Sequence, residues 1–170
     1  MWKQLWAGQM VIVAALALSG CSGGRPPLNL GVTEGRLASC PDSPNCVSSQ
    51  AVDENQRIEA LRYTGDTTQA RNRLLTVLSR MERVHLRQAD ADYLHAEFSS
   101  AWFGFVDDVE FQFNPPGVIQ ARSASRSGYY DFGVNRERVN AIRAQFDAVS
   151  YTHLCGFMEN DSALDSLRPF

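Results

Sequence analysis

The tetrapeptide Asn114-Pro115-Pro116-Gly117 most narrows what this chain can become. Proline has no N–H to give to a helix or an inner strand, and glycine accepts backbone angles other residues avoid. The segment therefore reads as a sharp turn, and both of its flanks alternate with a period of two. Across residues 105–113, Val109, Phe111 and Phe113 face one way while Asp108, Glu110 and Gln112 face the other. Across residues 118–126, Ile119 and Ala121 oppose Arg122 and Arg126. Such alternation marks strands with one apolar face, and two of them around a short turn make an antiparallel hairpin. Pairing Phe113 with Ile119 gathers the apolar residues on one side. It sets Glu110 opposite Arg122, with Asp108 and Arg126 nearby. A slip of one residue would drive Arg122 among the phenylalanines. The burial lost in that slip outweighs an exposed ion pair, worth less than about 1 kcal/mol, so the first register is expected.

Other elements extend the hairpin. Residues 57–63 read as a strand ended by Gly65, and residues 84–88 and 93–99 as two more, the latter alternating Leu94, Ala96 and Phe98 against Tyr93, His95 and Glu97. His95 is expected to face solvent or Glu97. Asp66 reads as the N-cap of a helix over residues 67–83, whose stripe is Ala70, Leu74, Leu78 and Met81. Val139, Ile142 and Phe146 make a second stripe at helical spacing over residues 135–148, with Asn135 as its N-cap between Val134 and Val139. The order β-α-β-β-β-β-α predicts an α+β fold: an antiparallel four- to five-stranded sheet with both helices on one face. The same order occurs in the half-repeat of the TATA-box-binding-protein fold and in a shortened helix-grip.

The N-terminus reads as an address, not as fold. Lys3, the one lysine in the chain, precedes an apolar run over residues 10–18 that is too short to span a bilayer. Leu18-Ser19-Gly20-Cys21 then has the form of a bacterial lipobox, predicting a lipoprotein signal peptide over 1–20 and a lipid on Cys21. Ser22 after the cysteine favours the outer membrane, with the domain facing the periplasm. Residues 21–36, rich in glycine and proline, read as a flexible tether. Residues 37–149 then form the globular domain, and residues 150–170, without sustained periodicity, an irregular tail. The membrane is thus the first expected partner. No basic excess suggests nucleic acid: acids outnumber cations, for a formal charge of −3.

In an oxidising compartment the remaining cysteines are expected to pair. Two prolines and several turn formers between Cys40 and Cys46 bring that pair together, and the spacing suits neither a zinc knuckle nor a redox pair. Cys155 bonding one of them is the alternative; otherwise it is free.

Three stretches resemble one family: Cys40-Pro41 with Pro44-Asn45-Cys46-Val47-Ser48-Ser49; Phe105-Val106-Asp107-Asp108-Val109-Glu110-Phe111; and Arg122-Ser123-Ala124-Ser125-Arg126 followed by Gly128, Asp131, Gly133, Asn135 and Arg136. The chain is identified on these as a member of the domain of unknown function 1499 family over about residues 37–148. The resemblance implies a small domain, often behind a signal or lipoprotein sequence, and brings no established activity.

The residues that could carry chemistry are Asp107, Asp108, Glu110, Arg122, Ser123, Ser125, Arg126, Asp131, Asn135 and Arg136. In a structural reading, acids on one strand pair with arginines on the next, while Asp131 and Asn135 organise the entry to the last helix. In a second reading, Arg122, Arg126 and Arg136 converge near that helix's N-terminus and bind an anionic lipid head group or cell-wall fragment. In a third, Asp107, on the phenylalanine face by strict alternation, is the general acid or base of a periplasmic enzyme. No nucleophile elbow, metalloprotease helix or phosphate loop accompanies it, and no cofactor or metal set is expected. A non-catalytic structural or binding module is the preferred expectation, its partner an anionic small molecule or an envelope protein. Trp102 and Phe103, between two strands, are expected to cap the core; the alternative is an apolar hairpin tip.

Overall fold

A computed structural model describes residues 27–101 and 103–164, with side chains through residue 149. The expected lipobox, Cys21, Trp102, residues 165–170 and the side chain of Cys155 lie outside the described residues.

Strands β5 (Val84–Ala89), β6 (Tyr93–Ser99), β7 (Val106–Gln112) and β8 (Val118–Ser125) form an antiparallel meander. Beyond β8 lie β3 (Cys46–Ser48) and β4 (Leu61–Arg62), each pairing with a different stretch of it, so the sheet has six strands. β3 adds to the expected count: the Cys40–Cys46 loop leads directly into a strand. The β7–β8 register is the expected one. Glu110 pairs with Arg122 and Phe111 with Ala121, because this register keeps Arg122 off the apolar face. β5 is the outer edge strand, and its pairing with β6 shifts between Leu86 and Gln88.

Helices α1 (Thr67–Ser79) and α2 (Val134–Leu164) cover the apolar face together. Asp66 caps α1 by accepting the Gln69 N–H. Leu74, Val77 and Leu78 of α1 and Val139, Ile142 and Phe146 of α2 close over Leu94, Phe98, Val109, Phe111, Phe113 and Ile119 in one buried core. This is the α+β architecture expected from the two stripes and the alternating strands.

Four segments differ from expectation. α1 ends at Ser79, not Arg83, and the first expected strand is reduced from 57–63 to Leu61–Arg62. α2 does not stop near residue 148; its backbone stays helical to Leu164, so the stretch read as an irregular tail is largely helix. A missing apolar period removes a reason to bury a face, not the ability to continue a helix, and no proline stands between residues 149 and 164 to break it. Residues 27–36 are likewise not a free tether. β1 (Val32–Thr33) and β2 (Arg36–Leu37) form a small hairpin docked on the sheet face away from the helices. Polar main-chain groups hold it there, which a search for apolar periodicity does not detect.

Candidate functional site

Strict alternation sends Tyr93, His95 and Glu97 of β6, Asp108, Glu110 and Gln112 of β7, and Gln120 and Arg122 of β8 to the face opposite the helices, with Arg126 just beyond β8. This face is neither open nor solvated: His95, Glu97, Asp108, Glu110, Gln112 and Arg122 are all buried.

Two linked clusters occupy it. In the first, Arg122 donates an Nη1–H to Glu110 Oε2 at 2.8 Å, and Tyr93 donates its hydroxyl to Glu110 Oε1 at 2.8 Å. The docked hairpin completes the cluster: the Gly31 N–H donates to Glu110 Oε1 at 2.7 Å, and Gln112 Nε2 donates to the Gly35 carbonyl at 2.9 Å. Arg122 Nε is buried without a hydrogen-bond partner. Burial and the adjacent Glu110 carboxylate push the Tyr93 phenol well above the ordinary tyrosine range.

In the second cluster, Arg126 reaches both oxygens of Asp108, at 2.8 and 2.7 Å, and also bonds Glu97. His95 Nε2 meets Asp108 Oδ1 at 2.8 Å, and Arg87 of the edge strand closes on Glu97 at 2.8 Å. Burial opposes the charge on Asp108, yet hydrogen bonds from Arg126 and His95 outweigh it and hold its carboxyl below the usual range. Burial opposes the charge on Glu97 in the same way, and Arg87 and Arg126 overcome it. His95 is thus a buried partner of Asp108, not a solvent-facing residue. Alternation alone could not tell a covered charged face from a wet one.

The remaining candidates lie on the helix face, at the sheet end where α2 starts. Asn135 is not the helix N-cap. It is buried within the first turn, where its Nδ2 donates to the Asn45 carbonyl and Ser125 Oγ, both at 3.0 Å, and its Oδ1 accepts from Ser123 Oγ at 2.5 Å and Arg138 at 2.6 Å. The capping is done by Asp131, whose two oxygens accept the Gly133 and Asn135 N–H groups at 3.0 and 2.9 Å. Asp107 does face the phenylalanine side, but Arg138 of α2 donates to it at 2.5 Å and stacks on Phe98. Arg138 was not singled out in the sequence because it sits on a helix flank, between stripe residues.

Several of the predicted site residues therefore do not meet. Asp107 is on the opposite sheet face from Asp108 and Glu110, so the three carboxylates cannot share a cation. Arg136 is equally far from Arg122 and Arg126 in function: it donates to the carbonyls of Arg57 and Asn55 at 2.7 and 2.5 Å. The three arginines do not converge on one anion.

Beside Arg136 lies a cleft of about 390 Å³, lined among others by Asp42, Asp53, Asn55, Tyr129 and Asp131. Cys46, joined to Cys40 by a disulfide with Sγ atoms 2.04 Å apart, lines one wall of it.

The sequence matches the family described as Protein of unknown function (DUF1499) over residues 36–146. The chain belongs to that family. The matched region starts at β2 and ends in the buried part of α2, so the DUF1499 unit contains the six-stranded sheet, both helical stripes, the disulfide and the charged side chains of both clusters, while Gly31 and Gly35 precede it. No curated protein matches the chain.

Proposed function

We propose that this DUF1499 chain is a lipid-anchored domain of the bacterial envelope, facing the periplasm and favouring the outer membrane, whose charged constellation is an internal framework and not a catalytic centre. The observation that carries this reading is saturation. Each acid of the constellation is held: Asp107 by Arg138, Asp108 by Arg126 and His95, Glu110 by Arg122, Tyr93 and Gly31, and Asp131 by the first turn of α2. A general acid or base needs a proton within hydrogen-bond reach of substrate, and these oxygens already point at protein donors.

Ligand binding, in this reading, belongs to the cleft at the start of α2. Three carboxylates line it against one arginine already engaged with carbonyls; Asp131 is held at the entry to α2, and Asp42 and Asp53 support a hydroxyl- or amine-bearing envelope group over an anionic one. The deciding experiment compares two variants in cells. Asp107→Asn keeps the shape and removes the charge, so it should leave whatever phenotype the intact chain complements. Glu110→Ala should lower the amount of folded protein. A folded Asp107→Asn that abolishes complementation, beside a Glu110→Ala that folds normally, would replace this reading with an enzyme acting through Asp107.

A further inference from the structure

Among the described residues five aromatic rings stand out of this domain, and they share one end of the sheet. Phe103 is 74% exposed, Phe105 53%, Tyr129 61%, Tyr130 65% and Phe132 92%. The core reading of Phe103 is therefore overturned. Every other aromatic ring whose exposure is described is buried: Tyr63, Tyr93, Phe98, Phe111, Phe113 and Phe146. Ser99 pairs with Val106, and the Arg126 N–H donates to the Val106 carbonyl, so the loops over residues 100–105 and 127–133 leave the sheet side by side.

Both loops are built. Ser100 N–H donates to the Phe105 carbonyl at 2.8 Å and Ser100 Oγ accepts the Phe105 N–H at 3.0 Å. In the second loop, Asn45 Nδ2 donates to the Gly128 carbonyl at 2.6 Å. Phe132 holds a φ of 56°, which a side chain of that bulk rarely adopts. Charge is nearly absent: residues 100–105 carry none, and residues 127–133 carry only Asp131, both of whose oxygens are turned into α2. A polar, water-facing loop needs none of this. Tyr129 and Tyr130, each with an apolar body and a polar tip, suit the head-group layer of a bilayer, and the three uncharged phenylalanines suit the acyl boundary beneath it.

We propose that these two loops form a membrane-seated tip, which orients the domain on the bilayer that carries it. The proposal rests on lipid attachment at Cys21. Ten residues separate Cys21 from Gly31, which is fixed to Glu110, so the link reaches at most about 35 Å. Glu110 lies four residues along β7 from Val106, about 13 Å from the aromatic end. The tip thus falls well within reach of the surface at which the link starts. The lipid supplies attachment; the tip supplies orientation.

The test uses the full chain purified from the envelope with its lipid, set in vesicles of phosphatidylethanolamine and phosphatidylglycerol. In a Cys155→Ser background, nitroxide labels are placed at Phe103→Cys and Phe132→Cys. A control goes at Asp92→Cys, in the β5–β6 turn at the other end of the sheet. These positions are exposed, so the labels leave the core intact. Electron paramagnetic resonance then compares collisions with oxygen, concentrated in the membrane, and with a nickel chelate, confined to water. We expect the labels at 103 and 132 to be several-fold more shielded from nickel than the label at 92. Equal nickel access at all three sites, on protein that floats with the vesicles and has the mass of an acylated chain, overturns the tip and leaves the anchor standing; a tip meant for a protein partner gives that result. A chain without acyl mass that stays off the vesicles overturns both. One without acyl mass that floats with shielded labels sinks the anchor and supports the tip.

Discussion

Glu110 concentrates more of this structure than any other residue. It is fully buried and accepts hydrogen bonds from Arg122, Tyr93 and Gly31, which belong to three separate parts of the chain. Glu110→Ala would strand a buried guanidinium whose Nε already lacks a partner. Breaking such a pair from one side costs about 3–5 kcal/mol, because the remaining charge keeps its desolvation penalty. Urea unfolding of this variant should show a loss of that size, and Gly31 should exchange its amide hydrogen faster. Asp108 and Glu97 make the same face sensitive to acid. Both carboxyls are held below their ordinary range, so the folded state binds fewer protons than the unfolded chain. Their stabilisation is present above the unfolded carboxylate values near pH 4 and is lost as pH falls through the lower folded values. Unfolding midpoints taken from about pH 6 to about pH 3 should fall, and Asp108→Asn should flatten that slope.

At the scale of elements, the sequence read best where periodicity and burial agree. The β7–β8 register was legible because one slip would bury Arg122 among phenylalanines, and the two helices because Leu74–Leu78 and Val139–Ile142–Phe146 repeat at helical spacing. What escaped notice is held by polar groups at single points. The β1–β2 hairpin docks through Gly31 and Gly35 main-chain atoms, and Arg138 reaches Asp107 from a position no stripe marks. Asn135 looked like a cap because its type is typical of one. The structure gives that task to Asp131 and uses Asn135 to join β8, the Asn45 carbonyl and α2. The disulfide supports this junction, since Asn45 immediately precedes Cys46. Peptide mapping without reduction should recover Cys40 linked to Cys46. Replacing both by serine should cost about 2 kcal/mol, in keeping with a short closed loop, and should loosen the start of α2 first in hydrogen exchange.

For the whole molecule, the first question is attachment. Cys21→Ser should abolish incorporation of labelled palmitate and move the chain out of the membrane fraction or leave it unprocessed; persistent labelling would refute the anchor. On the proposed anchor the protein would be crowded against its own copies, and crowding bears on the outer strand of the sheet. Among the described residues β5 pairs with β6 alone, and apart from the Ala89 carbonyl, which Arg71 takes, its outer margin faces any second chain that drifts alongside. Its pairing shifts between Leu86 and Gln88, and Arg87 lies within that irregularity, half exposed and tied back to Glu97. A shifted, charged margin is a poor template for another strand. The arginine that helps neutralise buried Glu97 thus also stands where a neighbouring copy would have to pair, one side chain facing both the interior and the outer margin of the sheet.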